Sequence, residues 1–231
     1  MENTIKHSII AAQLCDSAFP IGGFAFSNGL ESAIEHHMVT NRDELKEFTR
    51  DVLLQSLHSD FIAALVSFRA ANRNCYQEIL YADEICYCSK LSSEARSMAI
   101  KMGRRASQMG CALFPDNALL KQWNSDIENS QCKGVHAIST ALLFKAANLD
   151  EYSLFAALEY GTVNIVLNAA LRIFHISHFE TQKLLKELCS FAPNDYLTIK
   201  ELTLYDMESF APLYDINSSL HEFGERRLFA N

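Results

Sequence analysis

Apolar positions in this chain recur with a period near 3.6 residues and nowhere with a sustained period of two, a pattern that predicts helices and no sheet. The clearest stretch begins at Thr40 or Asn41, either of which can cap a helix whose first turn carries Asp43 and Glu44 at the positive end of the helix dipole. Within it Leu54, Leu57, Phe61, Leu65 and Phe68 are spaced to form one core-facing stripe. Further helices are predicted over residues 77–90 and 92–109, and a shorter piece follows that Pro115 and the polar run 124–131 interrupt. Val135, Ile138, Leu142, Ala146 and Leu149 mark another helical face, with His136 at its start. Residues 152–176 are nearly continuous in apolar side chains, which invites a membrane span. Glu159, Asn164, Asn168 and Arg172 interrupt them, however, and an ionised side chain at mid-bilayer costs roughly 2.5 to 3.5 kcal/mol on insertion scales. The segment therefore reads as the central helix of a bundle or as an oligomer contact, on which Tyr160, Asn164, Asn168 and Arg172 make a polar stripe that must meet partners. The pattern as a whole predicts an all-α fold, a single compact bundle of about ten helices over residues 1–231.

One stretch near the start, Leu14 to Glu31, concentrates the chain's conformational punctuation between two helical patterns. Pro20 fixes its own φ and pushes Phe19 toward extended geometry, while Gly22 and Gly23 permit positive φ or close backbone approach. Phe19, Ile21, Phe24 and Phe26 surround this turn with apolar bulk, which predicts a packed corner. Ser27 or Asn28 is expected to cap a helix running to residue 38, with Glu31 as its capping-box partner. Asp16 and Glu31 at the ends of the loop read as caps for backbone N–H groups rather than as an acid and base pair. The glycine pair lacks the lysine and the spaced glycines of a phosphate cradle.

Composition narrows the function classes. With 49% hydrophobic and 21% charged residues the chain can bury a large core, and a net charge of −8 argues against nucleic acid or an anionic membrane as the main partner. No basic and apolar leader pattern opens the chain, so the cytosol is the expected compartment. Seven irregularly spaced cysteines fit reduced, packed thiols better than a disulfide framework. Cys86 and Cys88 have no matching second pair, and the adjacent His36 and His37 point to different helix faces, so neither makes a strong metal site. No G-x-S-x-G elbow is present, and the chain is expected not to be an enzyme and to bind no cofactor stably.

The run Asp16-Ser17-Ala18-Phe19-Pro20-Ile21-Gly22-Gly23-Phe24, followed by Ser27-Asn28-Gly29-Leu30-Glu31, closely resembles the N-terminal motif of the urease accessory protein F family, UreF. Ser93-Glu94-Ala95-Arg96, Met102-Gly103-Arg104, His136, Gln182-Lys183-Leu184-Leu185 and the ending His221-Glu222 with Arg227-Leu228-Phe229 extend the resemblance over most of the chain. Two positions depart from it: Phe26 stands where many members carry a histidine, and Thr181 where a glycine is expected. The resemblance implies a homodimer and a non-enzymatic scaffold that joins UreD (also called UreH) and the GTPase UreG, so that nickel is inserted into apo-urease in a GTP-dependent step. The alternative is a metallochaperone that carries nickel transiently on Cys or His ligands. The residues it marks for partner binding are Asp16, Pro20, Gly22, Gly23, Glu31, His136, His221, Glu222, Arg227, Leu228 and Phe229, with residues 217–231 expected to be a docking tail.

Overall fold

In the computed structural model the described residues are 2–208 together with Ile216, Ser219, Leu228 and Phe229. They are helical throughout, with no strand among them. Eleven α-helices follow in order: α1 Glu2–Cys15, α2 Leu30–Glu35, α3 Arg42–Ser56, α4 Ile62–Asn72, α5 Tyr76–Cys88, α6 Ser93–Leu113, α7 Ala118–Glu128, α8 His136–Ala146, α9 Glu151–Ile173, α10 His178–Leu188 and α11 Ala192–Ile199. Two buried helices organise the bundle: α4, α6 and α7 surround α8, and α1, α3 and α10 pack on α9.

Side-chain caps set many of the boundaries. Asn41 accepts from the backbone N–H groups of Asp43 and Glu44 at 3.0 Å each and opens α3 as expected. Ser92 does the same for α6, Asn117 for α7 and Asp150 for α9, while Ser177 and Glu180 form a full capping box on α10. The predicted stripe is real, since Leu57, Phe61, Leu65 and Phe68 are all buried. Its helix is not one continuous α-helix, however: residues Leu57–Phe61 form a π-turn between α3 and α4. The predicted helix from 27 to 38 shrinks to α2, whose cap is Gly29 in the left-handed region, with no side-chain cap. The polar run 124–131 is helical as far as Glu128, because Trp123 anchors α7 by donating its indole N–H to Ser139 at 2.9 Å on α8. Helix α9 is long and apolar enough to cross a membrane, but half of its most apolar window is buried inside the bundle, the position of a core helix.

Helices α6 and α8 meet at the tightest contact in the molecule. A Cβ on Gly103 would lie 1.9 Å from the carbonyl oxygen of Gly134 and 2.8 Å from the backbone nitrogen of His136, so only glycine lets the start of α8 press against α6. The same segment is held from the other side by buried Asp83 of α5, which accepts from the backbone N–H groups of Lys133, Gly134 and Val135 at 2.6, 3.1 and 2.8 Å. Burial raises the Asp83 pKa and these three donors oppose the rise. His136 is thereby fixed in place by backbone contacts on both flanks.

Candidate functional site

A chamber of about 210 Å³ lies between the two halves of the bundle. The opening loop forms one side through Asp16, Phe19, Ile21 and Gly23, and α1, α3, the π-turn, the α5–α6 turn, α6, α8 and α9 supply the rest. At its polar end Lys90 donates to both carboxylate oxygens of Asp60 at 2.8 Å, the Cys86 thiol approaches Asp60 Oδ1 at 3.6 Å, and Ser59 Oγ lies 3.3 Å from Oδ2. His136 and Thr140 complete this end, with His136 Nδ1 at 3.3 Å from Thr140 Oγ1. Asp60 and His136 retain accessible area although they lie deep in the fold, because that area faces the chamber rather than the outer surface.

The electrostatics follow from this placement. Burial alone would raise the Asp60 pKa, but the Lys90 charge and its hydrogen bonds, with the Cys86 thiol, hold it below the usual carboxylate value. Burial drives His136 down to about 4, Lys90 adds to the drop and Asp60 opposes it, so the imidazole is neutral at physiological pH. Cys86 is pushed well above its ordinary value by burial and by Asp60, which keeps it an unreactive thiol. The chamber thus holds one internal ion pair and a neutral imidazole. The π-turn carries Asp60 itself, and single π-turns inside helices often coincide with functional positions.

At the loop, Gly22 has φ +82° and Gly23 begins a short 3-10 turn ending at Ala25. Asp16 accepts from Ala18 N at 2.7 Å, the backbone-capping role expected of it. Replacing Gly22 with valine forces a β-branched residue to positive φ and places its Cβ 2.9 Å from Arg105 Nη1, a side chain able to move. The expected loss is about 1 to 3 kcal/mol, read as a lowered urea midpoint with an unchanged slope. An unchanged midpoint means the loop relaxes freely and does not depend on Gly22.

The far end of the chain reaches this loop. Leu228 N and Phe229 N donate to the two carboxylate oxygens of Glu31 at 2.8 and 3.2 Å. Phe229 is only 6% exposed, and the Arg172 guanidinium sits 4.3 Å from its ring centroid. Arg172 also donates to the Phe24 carbonyl at 2.9 Å, so one arginine at the end of α9 ties the loop to the terminal phenylalanine. Phe24 and Leu228 flank this clasp at 72% and 70% exposure.

Comparison with known proteins fits this arrangement. A sequence model of the family described as UreF matches residues 39–189. Over 219 residues the chain is 38% identical to "Urease accessory protein UreF 1" of Brucella melitensis, covering 95% of this chain and 90% of that protein. This chain belongs to the UreF family. More distant UreF relatives are equally collinear: the proteins named "Urease accessory protein UreF" from Photorhabdus laumondii and Yersinia pestis are each 30% identical over 95% of this chain and 96% of their own length.

Of the UreF positions marked in the sequence, Asp16, Pro20, Gly22 and Gly23 lie in the loop, Glu31 in the clasp and His136 in the chamber. Leu228 and Phe229 join Glu31, whereas His221, Glu222 and Arg227 lie outside the described residues. Glu31 is not the capping-box partner expected of it, since α2 starts from Gly29 with no side-chain cap, and its carboxylate accepts from the backbone of Leu228 and Phe229. Phe26, where many UreF members carry a histidine, is buried. The polar stripe on α9 divides its partners: Asn164 and Asn168 line the chamber and Arg172 serves the clasp. Sequence reasoning missed Asp60 and Lys90, which are 30 residues apart and read locally as ordinary surface charges.

Proposed function

We propose that this UreF-family chain is a non-catalytic scaffold of urease maturation that works in the cytosol as a homodimer. It joins UreD (UreH) and the GTPase UreG into the complex that delivers nickel to apo-urease in a GTP-dependent step. Family membership supports the maturation role, and one observation carries the scaffold reading. The opening loop and the C-terminal residues, separated by nearly the whole chain, meet in one clasp at Glu31 and Arg172 and leave Phe24 and Leu228 exposed together beside it. Exposed aromatic and aliphatic anchors beside an arginine are the kind of surface that docks a protein partner. The nickel-carrier alternative is less well supported, because among the described residues no three His, Cys, Asp or Glu side chains gather closely enough to hold a metal ion. Nickel is then cargo of the assembled complex.

Co-purification with UreD and UreG tests the scaffold. Truncation after Leu220 is expected to abolish capture of UreD and urease activation. Loss of the buried Phe229 ring should also lower stability by about 1.5 to 3 kcal/mol, so helicity and the urea midpoint are measured alongside. A truncated protein that captures UreD and activates urease at the wild-type level overturns the docking role. Sub-micromolar nickel binding by the isolated, reduced protein would favour the carrier instead.

A further inference from the structure

Glu159 sits in the middle of α9 at 1% exposure, on the face away from the chamber, and neither of its carboxylate oxygens has a hydrogen-bond partner among the described residues. A buried carboxyl group left without a partner is costly, so its retention calls for a use. Its surroundings supply one. From α3, Arg50 donates through two guanidinium nitrogens to the two carboxylate oxygens of Asp195 on α11, and it stacks over Phe191 with 5.2 Å to the ring centroid. Asp195 and Arg50 are the charges that act on Glu159, with opposite effects. From the turn between α10 and α11, Glu159 acts in turn on the Cys189 thiol, which burial raises to about 11. The helices packed on α9 carry further charges, among them Glu47 and Asp51 on α3 and Lys183 and Lys186 on α10, and several others pair elsewhere. Lys46 of α3 pairs with Glu187 of α10, Arg69 of α4 pairs with Glu151, and Lys90 pairs with Asp60 in the chamber beside His136. Arg50 therefore hydrogen-bonds one carboxyl group, that of Asp195, while its charge also acts on a second, Glu159.

We propose that Glu159, Arg50 and Asp195 form a proton-controlled latch at the junction of α3, α9 and α11, in which Arg50 is the moving part. With Glu159 protonated, Arg50 belongs to Asp195 and pins α11 to α3. When Glu159 ionises, the new buried anion competes for the guanidinium, and α11 is left to its other ties, Tyr196 to Glu151 at 2.8 Å and Arg69 to the Lys200 carbonyl at 2.7 Å. Helix α11 is the last α-helix in the element order, so the latch sets how firmly it is held against α3. The inference does not depend on the scaffold reading.

Burial, aided by Asp195 and opposed by Arg50, raises Glu159 to about 8. A carboxyl raised above its unfolded value near 4.5 makes the folded state bind more protons between those limits, so stability is full below about pH 4.5 and falls as pH rises toward 8. The test compares wild type with Glu159→Gln, which keeps the shape and cannot ionise, in urea titrations from pH 5 to pH 9. The folding equilibrium constant of wild type should fall about 10²- to 10³-fold relative to the variant over this range. Hydrogen exchange should show α11 amides losing protection in wild type relative to α8 amides as pH passes 8, and no such loss in Glu159→Gln. Parallel stability profiles for the two proteins overturn the titration, and unchanged α11 protection overturns the latch. Should Glu159→Gln fail to fold, Asp195→Asn serves. By freeing Arg50 for Glu159 it should move the pH-dependent loss to lower pH, and an unmoved profile overturns the proposal.

Discussion

Gly103→Ala should destabilise the protein by about 3 kcal/mol or more, at the upper end of what overpacking costs, or prevent folding altogether. The added methyl meets backbone, not side chain: its nearest neighbours are the Gly134 carbonyl oxygen at 1.9 Å, the Val135 carbonyl carbon at 2.6 Å and His136 N at 2.8 Å. A flexible side chain could swing away, but these atoms are fixed by the three hydrogen bonds to Asp83. Relief therefore requires α6 and α8 to separate, which breaks the best-packed helix pair and displaces His136 from the chamber. Gly110, one face further along α6, is the internal control. A Cβ there meets only the side chains of Leu120 and Leu143 at 3.2 to 3.4 Å, so Gly110→Ala should shift the urea midpoint far less. Equal shifts at the two positions would mean that the α6–α8 approach is softer than described.

Lys90→Met should cost about 3 to 5 kcal/mol, the usual penalty for stranding one half of a buried ion pair. Lys90 covers both oxygens of Asp60, and without it burial dominates and pushes the Asp60 carboxyl up rather than down. Adding Asp60→Asn should recover much of the loss, because the pair as a whole contributes less than either partner's removal takes away. The pH response separates these proteins. In wild type the Asp60 pKa is lowered, so its contribution is present above the unfolded value near 3.8 and is lost as pH falls below it. In Lys90→Met the sign reverses and acid should partly restore stability. Chemical denaturation at about pH 2.5 and pH 7 checks both statements, and a Lys90→Met protein as acid-sensitive as wild type contradicts them.

Helix identity was readable from the sequence where the periodicity was strong, as at the starts of α6 and α8, and most clearly at Asn41, where a cap agreed with it. It failed where a local signal met a stronger distant demand. The Ser-Asn pair before α2 looked like a cap, but Asn28 takes φ +53° and the helix starts two residues later, while Glu31 accepts from the backbone of Leu228. The π-turn was invisible because one extra residue in a helix leaves apolar spacings of three and four intact. The loop and the tail could be marked from the sequence, but not their meeting, which no local pattern encodes. The chamber was hidden for a similar reason, since Asp60 and Lys90 acquire their meaning only when the π-turn and the end of α5 face each other.

The clasp joins residues 197 and 198 positions apart, nearly the full span of the chain. Contacts of such separation are the slowest to close in a folding chain, and during synthesis this one must wait for residues 228 and 229. A nascent chain can bury α3 to α9 long before that. Its opening loop, though, stays without Phe229 over the Arg172 side until that residue has been made. The closed surface beside the opening loop therefore forms only once residues 228 and 229 have folded back onto Glu31.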